Sequence, residues 1–151
     1  MWSPFLLGDI RKIEAIQRKF TKRICLRCQI PFKSYEDRLR KLNLQPLYYR
    51  RIYFDLLFLF KIINNSVLDF HQYFHFQDHP YNFRNNTRKI IPNNDFKHNT
   101  WRGSFFYRAP KYWNKLERET TSCTTLISFK NKLKTVSYAD LSDLKINQLF
   151  R

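Results

Sequence analysis

Six basic side chains fall on one side of a helical wheel drawn for the first amphipathic stretch of the sequence. This basic face consists of Arg11, Lys12, Arg18, Lys19, Lys22 and Arg23. Lysine and arginine grouped in this way neutralise phosphates and release the counterions that the phosphates hold. A solvated helix face would show the same pattern, and the two interpretations are about equally well supported by it. The sequence therefore predicts a phosphate-binding surface and leaves the solvated face open as the alternative.

Aromatic and basic residues are combined in a second segment, residues 101–108. Trp101 and Tyr107 could stack on unpaired bases, while Arg102 and Arg108 neutralise phosphates. An ordinary core strand with basic neighbours explains the same pattern, and alternate residues of one strand could serve both purposes. We expect two further arginines to contribute to the same nucleic-acid contact, namely Arg50 and Arg88.

Two pairs of residues have spacings that metal sites use. Cys25 and Cys28 have the spacing of a zinc knuckle, and His71 and His75 have a helical i, i+4 spacing. The gap between the pairs is longer than a zinc finger allows, so a zinc-binding module is only a minor alternative. A small metal-dependent nuclease is another minor alternative, with candidate ligands His71, Asp78, His79 and His98. We expect no metal and no other cofactor.

The overall composition favours a polyanionic partner. The 151 residues contain 28 Lys and Arg against 12 Asp and Glu, a formal net charge of +16. Self-repulsion of that size favours a polyanionic partner, and DNA, RNA or an anionic membrane surface would all qualify. With only two glycines, Gly8 and Gly103, the chain offers no glycine-rich loop for a nucleotide. We expect neither a small-molecule substrate nor catalysis, because the acidic residues are scattered and two-metal phosphoryl transfer requires converging carboxylates.

The sequence also predicts a location inside the cell. Its most apolar stretch, residues 52–63, contains Asp55 and Lys61 and reaches only about 18 Å as a helix, too short to cross a bilayer. The first residues lack the features of a secretory signal. Three cysteines form no disulfide framework, which favours a reducing compartment. We therefore expect the nucleus or cytoplasm and no membrane partner.

Hydrophobic periodicity predicts a mainly α fold: an irregular helical bundle of about five helices with a long polar loop. The core helices are expected at residues 9–26, 35–42, 46–64, 109–117 and 125–136. The polar loop spans residues 77–102, after a short amphipathic turn or helix at 67–76. Residues 88–91 and 103–107 could form a small two-stranded ribbon. One helical domain, residues 1–136, would be followed by a C-terminal tail, residues 137–151.

Three of these helices carry more detailed expectations. In the first, an apolar stripe should face the core, formed by Ile10, Ile13, Ile16, Phe20 and Ile24. Ser34 should cap the second helix, with acids at the positive end of the helix dipole. The third is apolar nearly all round and belongs in the middle of the fold, with Arg51 and Asp55 able to pair.

Short motifs spread along residues 1–136 resemble, in order and spacing, the segment after the reverse transcriptase core in non-LTR retrotransposons of the jockey and CR1 type. The first motifs are Trp2-Ser-Pro4, Ile13-Glu-Ala-Ile-Gln-Arg-Lys-Phe-Thr-Lys22, Tyr35-Glu-Asp-Arg-Leu39, Arg50-Arg51 and Phe60-Lys-Ile62. The later ones are Thr87-Arg88, Arg102, Ser104-Phe-Phe-Tyr-Arg108, Trp113-Asn114 and Ser128-Phe-Lys130. Together they cover nearly the whole chain.

The resemblance implies a non-catalytic, nucleic-acid-binding segment that contacts template RNA or target DNA. In that family the polymerase palm and the endonuclease lie upstream, and neither is present here. The chain opens at Met1 where a polymerase should precede, so the resemblance implies a truncated copy of such an element. The upstream reverse transcriptase domain would be a partner. As an alternative, the segment packs on the polymerase thumb and has no activity of its own.

Overall fold

The computed structural model describes residues 3–4, 6–64, 67–77, 89–93 and 103–141. Within these ranges the chain forms eight helices and two short strands. The helices are α1 Leu7–Arg27, α2 Tyr35–Lys41, α3 Leu47–Ile63, α4 Phe70–Tyr73, α5 Phe105–Trp113, α6 Arg118–Thr121, α7 Leu126–Thr135 and α8 Tyr138–Leu141. The strands are β1 Phe74–Phe76 and β2 Ile90–Pro92. The expected mainly α fold with a small antiparallel ribbon is confirmed.

Helix α3 lies in the middle of the fold, as its nearly all-round apolar sequence predicts. Ile52, Leu56 and Leu59 are almost completely buried, and α1, α5, α7 and α8 all contact this helix. Ordering a helix costs conformational entropy, and a helix that is apolar nearly all round offsets this cost by burying its apolar side chains on several sides. The other helices are therefore arranged around α3.

Helix α2 begins at the predicted cap. The Ser34 hydroxyl accepts a hydrogen bond from the Asp37 amide at 3.1 Å, and the Asp37 carboxylate accepts one from the Lys33 amide at 3.1 Å. These reciprocal bonds satisfy amides that have no partner within the helix. The Lys33 amide, followed by the Lys41 ammonium, holds the pKa of Asp37 below its ordinary value. The local sequence alone specifies this helix start.

The core-facing side predicted for α1 is wrong. Ile10 is buried as expected, but Ile16 is 68% exposed and Phe20 is 63% exposed. Ile13 and Ile24 are half-buried. We call the four residues that do not enter the core the outer stripe: Ile13, Ile16, Phe20 and Ile24. At about 100° per residue, the helix is rotated by roughly a quarter turn from the predicted orientation.

Polar side chains take the place of the outer stripe against the core. Glu14, Gln17 and Thr21 are all buried, and we call them the polar seam. A Glu14 carboxylate oxygen accepts a hydrogen bond from the Tyr48 amide at 2.6 Å, and the Gln17 amide group donates one to the Gln45 carbonyl at 3.1 Å. The N-cap position of α3 is a proline without a side-chain cap. Glu14 therefore caps α3 from another helix, and this bond sets the rotation of α1.

Replacing Glu14 with glutamine should change the pH dependence of stability. Burial raises the pKa of the Glu14 carboxyl above its ordinary value of 4.5. Hydrogen bonds from the Tyr48 and Leu47 amides and the charge of Arg51 lower this pKa, but they do not offset the effect of burial. The folded state then binds this proton more tightly than the unfolded state, so Glu14 contributes less stability as pH rises through the raised pKa. Glutamine keeps an oxygen acceptor and does not titrate. We expect the free energy of unfolding of Glu14→Gln, relative to wild type, to increase between about pH 4 and about pH 7.

Urea unfolding of both proteins at the two pH values measures this difference. Shifts from other titrating groups are common to the two proteins and cancel in the comparison. A difference that stays constant, or that decreases with pH, would show that the Glu14 carboxyl is not disfavoured as an anion.

The ribbon pairs different strands from those predicted. Strand β2 overlaps the predicted strand at 88–91, but its partner is β1, with Phe76 opposite Ile90 and Phe74 opposite Pro92. β1 forms the end of the segment predicted as a turn or helix at 67–76, whose middle forms α4. The predicted polar loop, 77–102, lies mostly outside the described residues.

The predicted strand at 103–107 is wrong, because helix α5 begins at Phe105. Its buried residues recur at helical spacing, with Phe105, Ala109 and Tyr112 on one face. The helix also starts four residues earlier than the predicted 109–117. Just after α5, the Asn114 side chain accepts from the Ile90 amide at 2.9 Å and donates to the Ile90 carbonyl at 3.0 Å. These two bonds attach the ribbon to α5.

The core extends beyond the predicted domain boundary at residue 136. Tyr138 and Leu141 of α8 belong to the main hydrophobic cluster, and the Tyr138 hydroxyl donates to the Leu133 carbonyl at 2.8 Å. The preceding helix, α7, agrees closely with the predicted 125–136 and is capped by Thr125. Part of the expected tail thus packs against the bundle, and residues 142–151 lie outside the described ranges.

Candidate nucleic-acid interface

The basic face of α1 lies on the surface of the folded chain. Five of its six residues are exposed, and Arg11 is half-buried. The polar seam and Ile10 occupy the side of the helix that contacts the core. Hydrogen bonding on the inner side therefore directs the cations toward solvent. The structure brings these six predicted residues together on one helix.

The basic face consists of two parallel rows with the same spacing. One row contains Arg11, Arg18 and Lys22, and the other contains Lys12, Lys19 and Arg23. Each row spans eleven residues, or about 16 Å at about 1.5 Å per residue. At roughly 3.4 Å per nucleotide of one strand, that length matches about five phosphates. The second row is the one that borders the outer stripe.

One cation of the basic face, Lys12, forms an exposed ion pair within its own helix. The Lys12 ammonium lies 3.1 Å from the Asp9 carboxylate, and both side chains are largely solvent-exposed. Exposed pairs of this kind contribute little free energy and are screened by salt. A phosphate can therefore compete for Lys12 at small cost.

Arg108 does not belong to the interface, which corrects the expectation for this residue. It is only 8% exposed, and its guanidinium binds both carboxylate oxygens of Asp55, at 2.6 and 3.1 Å. A third nitrogen donates to the Gly103 carbonyl. Burial raises the pKa of the Asp55 carboxyl, and the hydrogen bonds from Arg108 oppose that shift. This arginine joins α5 to α3 and is not available to a phosphate.

Arg108 also replaces the partner that the sequence predicted for Asp55. Arg51, four residues before Asp55, has its Nε and Nη2 atoms buried without a hydrogen-bond partner. Burial lowers the pKa of Arg51, while Glu14 raises it. The centre of the bundle thus contains four charged groups on three helices, namely Glu14, Arg51, Asp55 and Arg108.

Arg50 remains a candidate and lies beside a pocket that the sequence did not indicate. The pocket has a volume of about 270 Å³ and is lined in part by Arg50, Tyr53, Phe54 and Lys134. Phe54 is 44% exposed on a helix whose other apolar residues are buried or half-buried. Cations next to an exposed ring suit a phosphate and an unpaired base. Phe54 lies one helical turn after Arg50, a spacing that could have indicated the pair, whereas Lys134 comes from a distant helix.

The remaining residues predicted to bind nucleic acid do not line this pocket in its described part and do not lie on α1. Tyr107 is exposed on α5. Arg88, Trp101 and Arg102 lie outside the described residues. The described part of the interface therefore consists of the basic face and the pocket beside Arg50.

The candidate metal ligands that the structure describes differ in their burial and in the elements that carry them. Cys25 is fully buried at the end of α1, whereas Cys28 is exposed. His71 lies on α4, and His75 lies on β1 with its Nδ1 atom 2.8 Å from the Asn93 amide oxygen. No cluster of three or more His, Cys, Asp or Glu side chains suited to a metal occurs in the described part of the chain. Asp78, His79 and His98 lie outside it.

None of the helices in the described ranges combines the length and apolar character needed to cross a bilayer. Comparisons with protein-family models, with curated proteins and with solved structures find no match to this chain.

Proposed function

We propose that this chain binds RNA or DNA through the basic face of α1, as a non-catalytic segment of the kind that follows the polymerase core in non-LTR retrotransposon reverse transcriptases. One observation carries the proposal: six cations on one helix lie at the surface while polar bonds on the opposite side hold that helix in place. The net charge of +16 adds a long-range attraction for a polyanion.

Binding of this kind reads phosphates and not bases. Cations on a helix face contact the backbone, so sequence preference is weak. The pocket beside Arg50 adds a place where a base can stack on Phe54 while Arg50 and Lys134 approach its phosphate. We assign the chain no chemical step, no small-molecule substrate and no cofactor. Its proposed place is inside the cell, in the nucleus or cytoplasm, with an upstream reverse transcriptase domain as partner.

The salt dependence of binding tests the proposal. If about six phosphates are neutralised, the slope of log K against log salt concentration should be about −4 to −5. Fluorescence anisotropy with a labelled oligonucleotide over a range of salt concentrations measures this slope. A slope near zero would rule out binding through phosphates.

A charge variant locates the contact. Arg18, Lys19, Lys22 and Arg23 together span about 140° of the helix circumference, so about half of them can face one backbone at a time. Replacing all four with glutamine should therefore make the slope shallower by about 2 and weaken binding at moderate salt by one to two orders of magnitude. The helical circular-dichroism signal should not change, because all four side chains are exposed.

The matched control removes the same charge from other elements. It replaces four exposed but scattered lysines with glutamine: Lys61, Lys89, Lys111 and Lys130. Equal weakening by both variants would show that net charge alone drives binding, and the basic face would lose its assigned role.

A second candidate function is packing on another protein domain, such as the polymerase thumb of a reverse transcriptase. The exposed outer stripe favours it, since Ile16 and Phe20 lie on the surface whereas most other large apolar residues in the described ranges are buried or half-buried. Exposed apolar groups that lie side by side mark interaction surfaces more often than single ones do.

A further inference from the structure

The outer stripe is a narrow apolar strip along an otherwise charged helix. Its members, Ile13, Ile16, Phe20 and Ile24, follow one another at intervals of three or four residues. At about 100° per residue they occupy an arc of about 80°. Ile16 and Phe20 at its centre are the more exposed members, and Ile13 and Ile24 at its ends are half-buried. The strip therefore presents a continuous line of apolar side chains to whatever lies against α1.

The width of the strip indicates what it fits. An apolar arc of at least about 100° is typical of a helix lying on a broad core, whereas a narrower strip is typical of the seam between two helices. Residues spaced by three and four insert between the side chains of a facing helix. The outer stripe therefore has the form of one half of a helix–helix seam.

The charge beside the strip indicates the chemistry of the partner. Lys12, Lys19 and Arg23 are exposed along one edge of the outer stripe. Charges flanking such a seam select partners through opposite charges on the facing helix. We propose that the outer stripe docks an amphipathic helix of another protein domain, with an apolar seam and a row of glutamate or aspartate that faces Lys12, Lys19 and Arg23. This inference rests on the second candidate function.

Two other occupants are disfavoured by the same residues. A second copy of this chain would bring one cationic flank against another at a net charge of +16 per chain. A bilayer surface suits a helix with a broad apolar face, and this strip is one or two side chains wide. The acidic helix satisfies the apolar strip and the cations together.

The test uses the full chain and two synthetic helices as probes. Both probes carry leucine at heptad positions a and d, one with glutamate and the other with lysine at positions e and g. The glutamate helix should bind in fluorescence anisotropy, and the lysine helix should bind at least about tenfold more weakly. Failure of the glutamate helix to bind, or equal binding of both probes, would overturn the proposal.

Substitutions at the strip test where the probe docks. Ile16→Ser with Phe20→Ser should abolish probe binding without unfolding the protein, since both side chains are exposed. Binding to nucleic acid should keep its salt slope in this variant. Probe binding that survives the double substitution would overturn the proposal while leaving nucleic-acid binding intact.

The two cationic rows provide a matched pair of variants. Replacing Lys12, Lys19 and Arg23 with glutamine should weaken binding of the glutamate helix at least about tenfold, while the same change at Arg11, Arg18 and Lys22 should weaken it much less. Both triple variants should weaken nucleic-acid binding to a similar extent. The reverse order of effects on the helix probe would overturn the proposal. The proposal would also be overturned if the chain associated with itself, or with phosphatidylserine vesicles, and if Ile16→Ser with Phe20→Ser abolished that association.

Discussion

Replacing Asp55 with alanine should lower the free energy of unfolding by about 3–5 kcal/mol, because it leaves the Arg108 guanidinium buried without its counter-charge. Arg108 is only 8% exposed and directs two nitrogens at the Asp55 carboxylate. Water cannot readily replace that carboxylate inside the bundle. Chemical denaturation followed by circular dichroism measures the loss.

Two further variants separate the ion pair from other effects of losing an acid. Asp37→Ala removes a partly exposed carboxylate that accepts from the Lys33 amide at the start of α2, and it should cost much less than Asp55→Ala. Replacing both members of the buried pair, Asp55→Leu with Arg108→Met, should recover most of the stability, since neither charge of the pair is left buried alone. If Asp55→Ala cost no more than Asp37→Ala, the pair would not hold α5 to α3 as described.

Replacing Phe129 with alanine should destabilise the fold by about 3–5 kcal/mol through loss of buried apolar contact and the cavity left behind. The Phe129 ring is fully buried. It stacks on Phe60 with ring centroids 4.4 Å apart, and its centroid lies 5.5 Å from that of Trp113. One side chain of α7 thus contacts both α3 and α5. The shift in the midpoint of urea unfolding gives the magnitude.

The matched control for Phe129 lies two residues earlier on the same helix. Ile127 is 74% exposed, so Ile127→Ala should change stability by no more than about 0.5 kcal/mol. Comparable losses from the two substitutions would mean that helix propensity, not packing against α3 and α5, determines the contribution of α7.

Features that depend on neighbouring residues could be predicted from the sequence. The Ser34 cap is decided within four residues, and the apolar character of α3 is visible in its own sequence. The sequence predicts that a two-stranded ribbon can form, but it does not predict which strands pair, because a three-residue strand does not identify its partner. The segment 103–107 has too few residues to distinguish a strand from a helix start, and its helical period appears only when Ala109 and Tyr112 are included.

Features that depend on distant partners could not be predicted. Glu14 and Gln17 bind backbone groups that lie 34 and 28 residues away along the chain. The partner of Asp55 lies 53 residues away, so a nearby arginine was the natural but mistaken choice. On α1 the bonds of Glu14 and Gln17 outweigh the ordinary preference of isoleucine and phenylalanine for the interior. The basic face was placed correctly at the surface because Lys and Arg are rarely buried without a partner.

Because of the polar seam, the residues that α1 needs for folding lie on one side of the helix, and the residues that can bind a ligand lie on the other. Glu14 and Gln17 anchor the helix with directional bonds to the Tyr48 amide and the Gln45 carbonyl, and Thr21 is buried beside them. The solvent-facing side of α1 therefore takes little part in stability. Mutations there would be nearly silent in a folding assay and visible only in an association assay. Across related sequences, the outward positions of such a helix would change at the pace of its ligands, while the three buried polar positions would change at the slower pace of the core.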